Sequence, residues 1–326
     1  MASINTSSND PFYLAYRFAG PSADLIVPAV ALYLVVLVGI VLNGTVLVVT
    51  FKSSSLRGSA NFLLALICLC ELVHQIGHTF FLVVVISGTN FVSLLTADLF
   101  LTPTIFGLNC GLMAMLCSAV DRLFSVISPI KHMDILLQFK YVYLFSYLLI
   151  CIIYGAYSLN YVLVYAFENA GNPTTGLVAE SFLRTVGYKF LAGTFIISLC
   201  STCCYVSVFV IIRRKNYVRQ QTNTRLIRSL IIILTINIGG YLFNLAIYQF
   251  IEEFHHMLGS PIRIWQFSFI AGILLNAAAG SNAIVLYLNR SLLSNTDYRQ
   301  LFKKELKMCF ACLHTENVPS AAPPIF

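Results

Sequence analysis

Charge is kept out of the long apolar stretches of this chain, with one exception. Seven runs, Leu25–Phe51, Ala60–Ser87, Leu99–Val120, Tyr141–Phe167, Phe190–Ile212, Ser229–Ile251 and Ile264–Leu288, reach the length of about 20 residues that crosses a hydrocarbon core. Six of them contain no Asp, Glu, Lys or Arg, and the second contains Glu71. A chain of 326 residues that is 58% hydrophobic and 10% charged, with a mean hydropathy of +0.83, lacks the polar surface of a soluble domain. The expectation is an all-α membrane protein, a bundle of seven transmembrane helices whose backbone groups are satisfied within each helix.

The positive charges orient the bundle. Lys52 and Arg57 follow the first run, Arg122, Lys131 and Lys140 separate the third from the fourth, six basic residues between Arg213 and Arg228 separate the fifth from the sixth, and five from Arg290 to Lys307 follow the seventh. The other side carries only Arg17, Arg184, Lys189 and Arg263. Basic loops stay in the cytoplasm, so the N-terminus is expected outside and the C-terminus inside. The net charge of +7 then reflects cytoplasmic retention and excludes a nucleic-acid partner as its reason.

Residues 1–24 read as a polar extracellular tail without the basic start and apolar core of a cleaved signal, so the first run is expected to act as the signal anchor. Asn5-Thr6-Ser7 is a glycosylation sequon on the expected outer side, whereas those at Asn43 and Asn289 fall on the wrong side and read as chance matches. Residues 25–290 form the membrane domain. Residues 291–313 place Tyr298, Leu301, Phe302, Leu306 and Phe310 near helical spacing among basic residues, the pattern of a short interfacial amphipathic helix, and the Pro-containing residues 314–326 are expected to be disordered. Cys309 and Cys312 follow that helix and suit lipidation, the alternative being two plain thiols. None of the ten cysteines lies in an outer connection, so no disulfide is expected.

Two sites carry chemistry. Asp121 and Arg122 end the third apolar run and are followed by Ser128-Pro129-Ile130-Lys131-His132. An Arg held there by its neighbouring Asp can be freed to contact a docking protein when helices part, or the pair can simply cap the helix and set topology. Glu71 is the only acid deep in the membrane, where an unpaired ionisable group costs several kcal/mol. Asn43 and Asn282 are its expected neighbours. The three could form a polar pocket for water, a proton or sodium, or Glu71 could be a neutral donor between helices. Glu71, His74 and His78 have metal-ligand spacing on one helix, but a membrane di-iron enzyme needs more histidines than the four that remain, so neither a metal nor another cofactor is expected.

These residues carry a resemblance. Asp121-Arg122-Leu123 at the inner end of the third helix, GIVLNG at 39–44, NFLLALICLCELVHQIG at 61–77 and NAIVLY at 282–287 resemble the motifs of rhodopsin-like G-protein-coupled receptors. Within that class, AVDRLFSVISPIKH, IRSLIIIL and the ending Asp297-Tyr298-Arg299 with Phe302 look most like nematode serpentine chemoreceptors of class SX. The resemblance covers about residues 25–310. It departs from the wider class in lacking the tethering disulfide, the Trp of helix four and the Pro residues of helices five, six and seven.

The resemblance implies a multi-pass plasma-membrane receptor, not an enzyme, that detects an external small molecule and activates a heterotrimeric G protein. It assigns coupling and activation to Asp121, Arg122, Pro129, Lys131, Tyr205 and Tyr287, and a pocket to the outer halves of helices three, five, six and seven. Asp98, Thr102 and Asn109 share a face there, opposite Lys189. Thr104 stands eighteen residues before Arg122, where amine receptors have Asp, which disfavours an amine ligand. The alternatives are a neuropeptide receptor and, from another class, a secondary transporter, although no inverted repeat or pair of broken helices is visible. An epitope placed before Met1 is expected to be labelled on intact cells and one after Phe326 only after permeabilisation; the opposite pattern would end this reading.

Overall fold

In the computed structural model, residues 10–53, 58–185, 187–214, 221–258 and 261–288 are described. A short helix α1 (Pro11–Tyr16) starts from Asp10, whose carboxylate accepts from Phe12 N at 2.9 Å, with Pro11 in the first turn where its missing N–H is harmless. The long helix α2 (Ala23–Lys52) follows. The second apolar run folds as α3 (Ser59–Ile76) and α4 (His78–Ile86), divided at Gly77. The missing side chain of Gly77 admits Thr104, which any Cβ there would overlap.

The pair of residues β1 (Val92–Ser93) leads into α5 (Leu94–Ile127), which Ser93 caps by accepting from Thr96 N at 3.3 Å. Then come α6 (Pro129–Gln138), α7 (Lys140–Glu168), β2 (Pro173–Thr174), α8 (Val178–Thr185), α9 (Gly187–Arg214), α10 (Gln221–Leu258) and α11 (Pro261–Leu288). β1 and β2 pair antiparallel, Val92 opposite Thr174 and Ser93 opposite Pro173.

Among the described residues, five helical segments are long and apolar enough to cross a membrane: Ala23–Lys52, Ser59–Ile86, Leu94–Ile127, Lys140–Glu168 and Ala192–Arg214. α10 and α11 coincide with the sixth and seventh apolar runs. Within the most apolar window, 61% of the α5 span is buried against 28% for α7, so α5 is the central pillar and α7 a peripheral helix. Leu101, Ile105, Ala114 and Met115 of α5 lie in one core with Leu63, Ile67 and Cys68 of α3, while Phe145, Ile153 and Tyr157 of α7 face outward. Such outward apolar faces suit lipid, and would be a liability in water.

The polar tail expected before the first helix is partly built into the fold. Phe12 is buried and its ring lies 5.4 Å from Phe91 and 5.5 Å from Trp265. Asn90, in the left-handed region at φ 57°, donates to Tyr16 O at 2.9 Å and Gly20 O at 2.8 Å, which fixes the return into α2. The connection that follows α7 contains β2 and α8.

Small residues set the closest helix crossings. A Cβ on Gly280 of α11 would come within 3.1 Å of Gly39 Cα on α2, whereas one on Gly239 of α10 would meet nothing within 4 Å. Gly280→Val is therefore expected to push α2 from α11 and destabilise the bundle by about 1–3 kcal/mol. Gly239→Ala should be neutral or stabilising by about 0.5–1 kcal/mol. Thermal unfolding in detergent compares the two, and equal effects would refute the close crossing.

Candidate functional site

At one end of α5 a carboxylate is enclosed by four helices. α5 stops at Ile127 because Ser128 leaves helical geometry, at φ −131° and ψ 67°, and Pro129 then opens α6. The reversal brings His132 back over the helix end. Asp121 is fully buried and pairs with Arg122 through Oδ2. Its Oδ1 lies 3.1 Å from His132 Nε2 and accepts from the Tyr143 hydroxyl at 2.9 Å. Ser59 of α3 donates to Oδ2 at 3.4 Å and accepts from Arg122 Nη2 at 3.2 Å. The pair thus joins α3, α5, α6 and α7.

Arg122 is 9% exposed, so its charge is held mostly out of water. Such a pair persists only because the remaining oxygen sites are hydrogen-bonded. Ile130 and Lys131 of α6 are exposed beside it. Tyr205 is buried on α9, but the hydrogen bonds around Asp121 and Arg122 do not include it. Sequence reasoning singled out the pair and missed His132, Tyr143 and Ser59. The Lys131-His132 step after Pro129 was the available signal, since a one-turn reversal returns such a residue to the helix end.

Nearer the middle of the bundle, the three residues expected to share one polar pocket divide between two adjoining sets. Asn282 Nδ2 donates to Asn43 Oδ1 at 3.3 Å, Asn43 Nδ2 to Gln75 Oε1 at 3.4 Å and to Ala279 O at 3.3 Å, and Asn237 Nδ2 to Asn282 Oδ1 at 2.6 Å. Glu71 makes no hydrogen bond to either asparagine. Its Oε1 accepts from the Tyr241 hydroxyl at 3.1 Å and its Oε2 lies 3.2 Å from His74 Nδ1. Gln75, one turn beyond Glu71, takes the place expected for the acid. The missed partners Asn237 and Tyr241 are four apart on α10 and so share a face, a polar spacing readable within an apolar run.

The two histidines spaced with Glu71 turn to different partners. His74 turns to Glu71, while the break at Gly77 lets His78 approach Asn276 Nδ2 at 3.3 Å through Nε2. No group of three candidate ligands comes together among the described residues.

Above Glu71 lies a cavity of about 70 Å³, floored by His74 and Tyr241 and walled by residues of α2, α4, α5, α9, α10 and α11. α8 is its lid, contributing Val178, Ala179 and Phe182. Two buried acids fasten the lid. Glu180 accepts from Thr174 Oγ1 at 2.5 Å, Thr175 Oγ1 at 2.7 Å, Thr175 N at 3.0 Å and Trp265 Nε1 at 3.2 Å. Ser181 donates to Asp98 Oδ1 at 2.5 Å.

The structure divides the expected pocket face. Asn109 lines the cavity, but Asp98 is taken up beneath the lid, Thr102 donates to Asp98 O at 2.9 Å, and Thr104 packs into the gap at Gly77. The reason is that α5 begins five residues earlier than its apolar run, so its first turns lie under the lid. The side chains of Lys189 and Tyr287 lie outside the described residues, as do Asn5, Cys309, Cys312 and the whole stretch 289–326.

The eight cysteines among the described residues are free thiols, so the lid is fastened by strand pairing and carboxyl hydrogen bonds. A comparison with curated proteins returned no match. The model of the serpentine-type 7TM GPCR chemoreceptor family Srsx matches residues 36–306, taking in the cavity, Glu71, the asparagine cluster and the Asp121–Arg122 pair. With that match over most of its length and helices fit to cross a membrane, the chain belongs to the serpentine 7TM GPCR chemoreceptor family Srsx and is a multi-pass membrane protein.

Proposed function

We propose that the chain is a plasma-membrane receptor that detects an external small molecule in the cavity under α8 and activates a heterotrimeric G protein at the Asp121–Arg122 end. It crosses the membrane seven times, with residues 1–24 outside, 25–290 as the membrane domain and 291–326 inside. Lipid covers the apolar outer faces. Asn5 carries a glycan, and acyl chains on Cys309 and Cys312 hold the amphipathic helix 291–313 against the inner leaflet.

The observation that carries this reading is the buried Arg122, closed off by Asp121 and Ser59 at the far end of the same helix that lines the cavity. From Leu112 at the cavity to Asp121 the helix rises about 14 Å. Between them, Glu71 ties the cavity floor of α3 to α10 through Tyr241. A ligand that presses on Tyr241 and His74 differently in two arrangements of α3 and α10 shifts their balance by that difference in affinity, and by no more. In the open arrangement Arg122 leaves Asp121 and meets the partner, alongside Ile130 and Lys131 at the start of α6 set by Pro129, while Tyr205 and Tyr287 brace the parted helices.

Arg122→Ala is expected to reach the cell surface at the original level and to lose agonist-stimulated G-protein activation. Surface labelling with a cAMP or calcium readout checks both halves. Undiminished signalling would reduce Arg122 to a helix cap.

A further inference from the structure

We infer that the cavity under α8 selects a small uncharged molecule that both donates and accepts hydrogen bonds from an apolar body, such as a short alcohol or primary amide, and that Asn109, Asn276 and His78 read it. This rests on the cavity being the ligand site.

The polar atoms around the cavity are oriented and left unused. Asn109 donates Nδ2 to Ile105 O at 2.9 Å, back along its own helix, so Oδ1 is the free end and has no partner. Asn276 donates Nδ2 to Gly272 O at 2.9 Å, and its Oδ1 has none either. The second hydrogen of that amide points to His78 Nε2, which must therefore offer a lone pair, placing the ring proton on Nδ1. Nδ1 is also without a partner, as are Thr194 Oγ1 and Asn244 Oδ1. Asn109, Asn276, Thr194 and His78 are between 0% and 4% exposed.

Buried polar atoms without partners are uncommon in a folded chain, and five around one cavity mark a place where a ligand supplies the bonds. The free set contains amide oxygens that accept and an imidazole N–H that donates. A hydroxyl or primary amide answers both at once.

A charged ligand finds no counter-ion among the described residues that line the space. No Asp, Glu, Lys or Arg is among the cavity residues described. The nearest acids already hold donors, Glu71 from Tyr241 and Glu180 from Thr174, Thr175 and Trp265. An ion brought in would lose its hydration without gaining a counter-ion. The remaining wall, including Leu108, Leu112, Phe182, Phe269 and Leu275, fits an alkyl or ring body. A volume of about 70 Å³ amounts to about five water-sized positions, which suits a short chain.

Thermal unfolding of the full chain purified in detergent, with pentan-1-ol, pentanamide, pentylamine and pentanoate as probes of matched length, tests the assignment. The two neutral probes are expected to raise Tm saturably and the two ions are not. Asn276→Leu should weaken pentanamide about tenfold, the loss of one neutral hydrogen bond to a ligand. Asn109→Leu gives the same readout should the first variant fail to fold. Asn276→Asp should move the preference to pentylamine. Saturable stabilisation of the original by either ion, unchanged pentanamide affinity in a folded leucine variant, or no stabilisation by either neutral probe would overturn the assignment. Binding in detergent needs no G protein, so a receptor that binds neutral probes but fails to signal would sink the proposed function and leave the ligand class standing.

Discussion

A carboxyl group in the middle of an apolar bundle costs several kcal/mol unless partners surround it, and Glu71 answers that constraint with Tyr241 on one side and His74 on the other. The arrangement ties α3 to α10 and makes the floor of the cavity out of the acid's own partners. Removing Tyr241 or His74 would therefore disturb a buried polar group and a cavity wall together. Adjoining it, the Asn43, Gln75, Asn237 and Asn282 amides join α2, α3, α10 and α11. Polar layers of this kind specify helix positions in a membrane, where apolar packing against a partner helix differs little from packing against lipid.

The two ends of the bundle use the same economy of buried carboxyls. Glu180 and Asp98 fasten α8, and Asp121 fastens α6 and Arg122. Hydrogen bonds to a buried acid are stronger than neutral ones yet open without breaking a covalent link. A lid held so can lift for ligand exchange, and an Arg held so can be released. The N-terminal helix adds to the closure through Phe12, whose ring meets Phe91 edge-on and Trp265 at a tilt.

The helices and the chemistry-bearing residues were readable from composition and spacing because the membrane imposes both: charge is expelled from spans, so Glu71 and the Asp121–Arg122 pair stand out. What bonded to them was not readable. Gln75 displaced Glu71 at Asn43 by a difference of one turn on α3, which depends on how α2 and α3 are rotated against each other and not on either pattern alone. The break at Gly77 was hidden because glycine inside an apolar run carries no mark of a close neighbour, and Thr104 is the neighbour that requires it. The lid escaped because α8 is only 8 residues and is stabilised by tertiary contacts to Asp98 and Trp265, far away in sequence. Of the face expected from spacing, Asn109 lines the cavity, while Asp98 bonds to Ser181 of the lid and Thr102 turns back to Asp98 O.

In the proposed receptor the cavity and the Asp121–Arg122 end are coupled through Glu71. Coupling between two binding sites is reciprocal, so in the proposed receptor it appears as the factor by which bound G protein raises affinity for a cavity ligand. That factor, measured with a radiolabelled agonist on purified receptor with and without the nucleotide-free G protein, is expected to be about 5–150 in the original chain and to fall toward one in Glu71→Gln with Tyr241→Phe. An undiminished factor in a double variant that still folds and binds the agonist would show that the signal does not pass through Glu71.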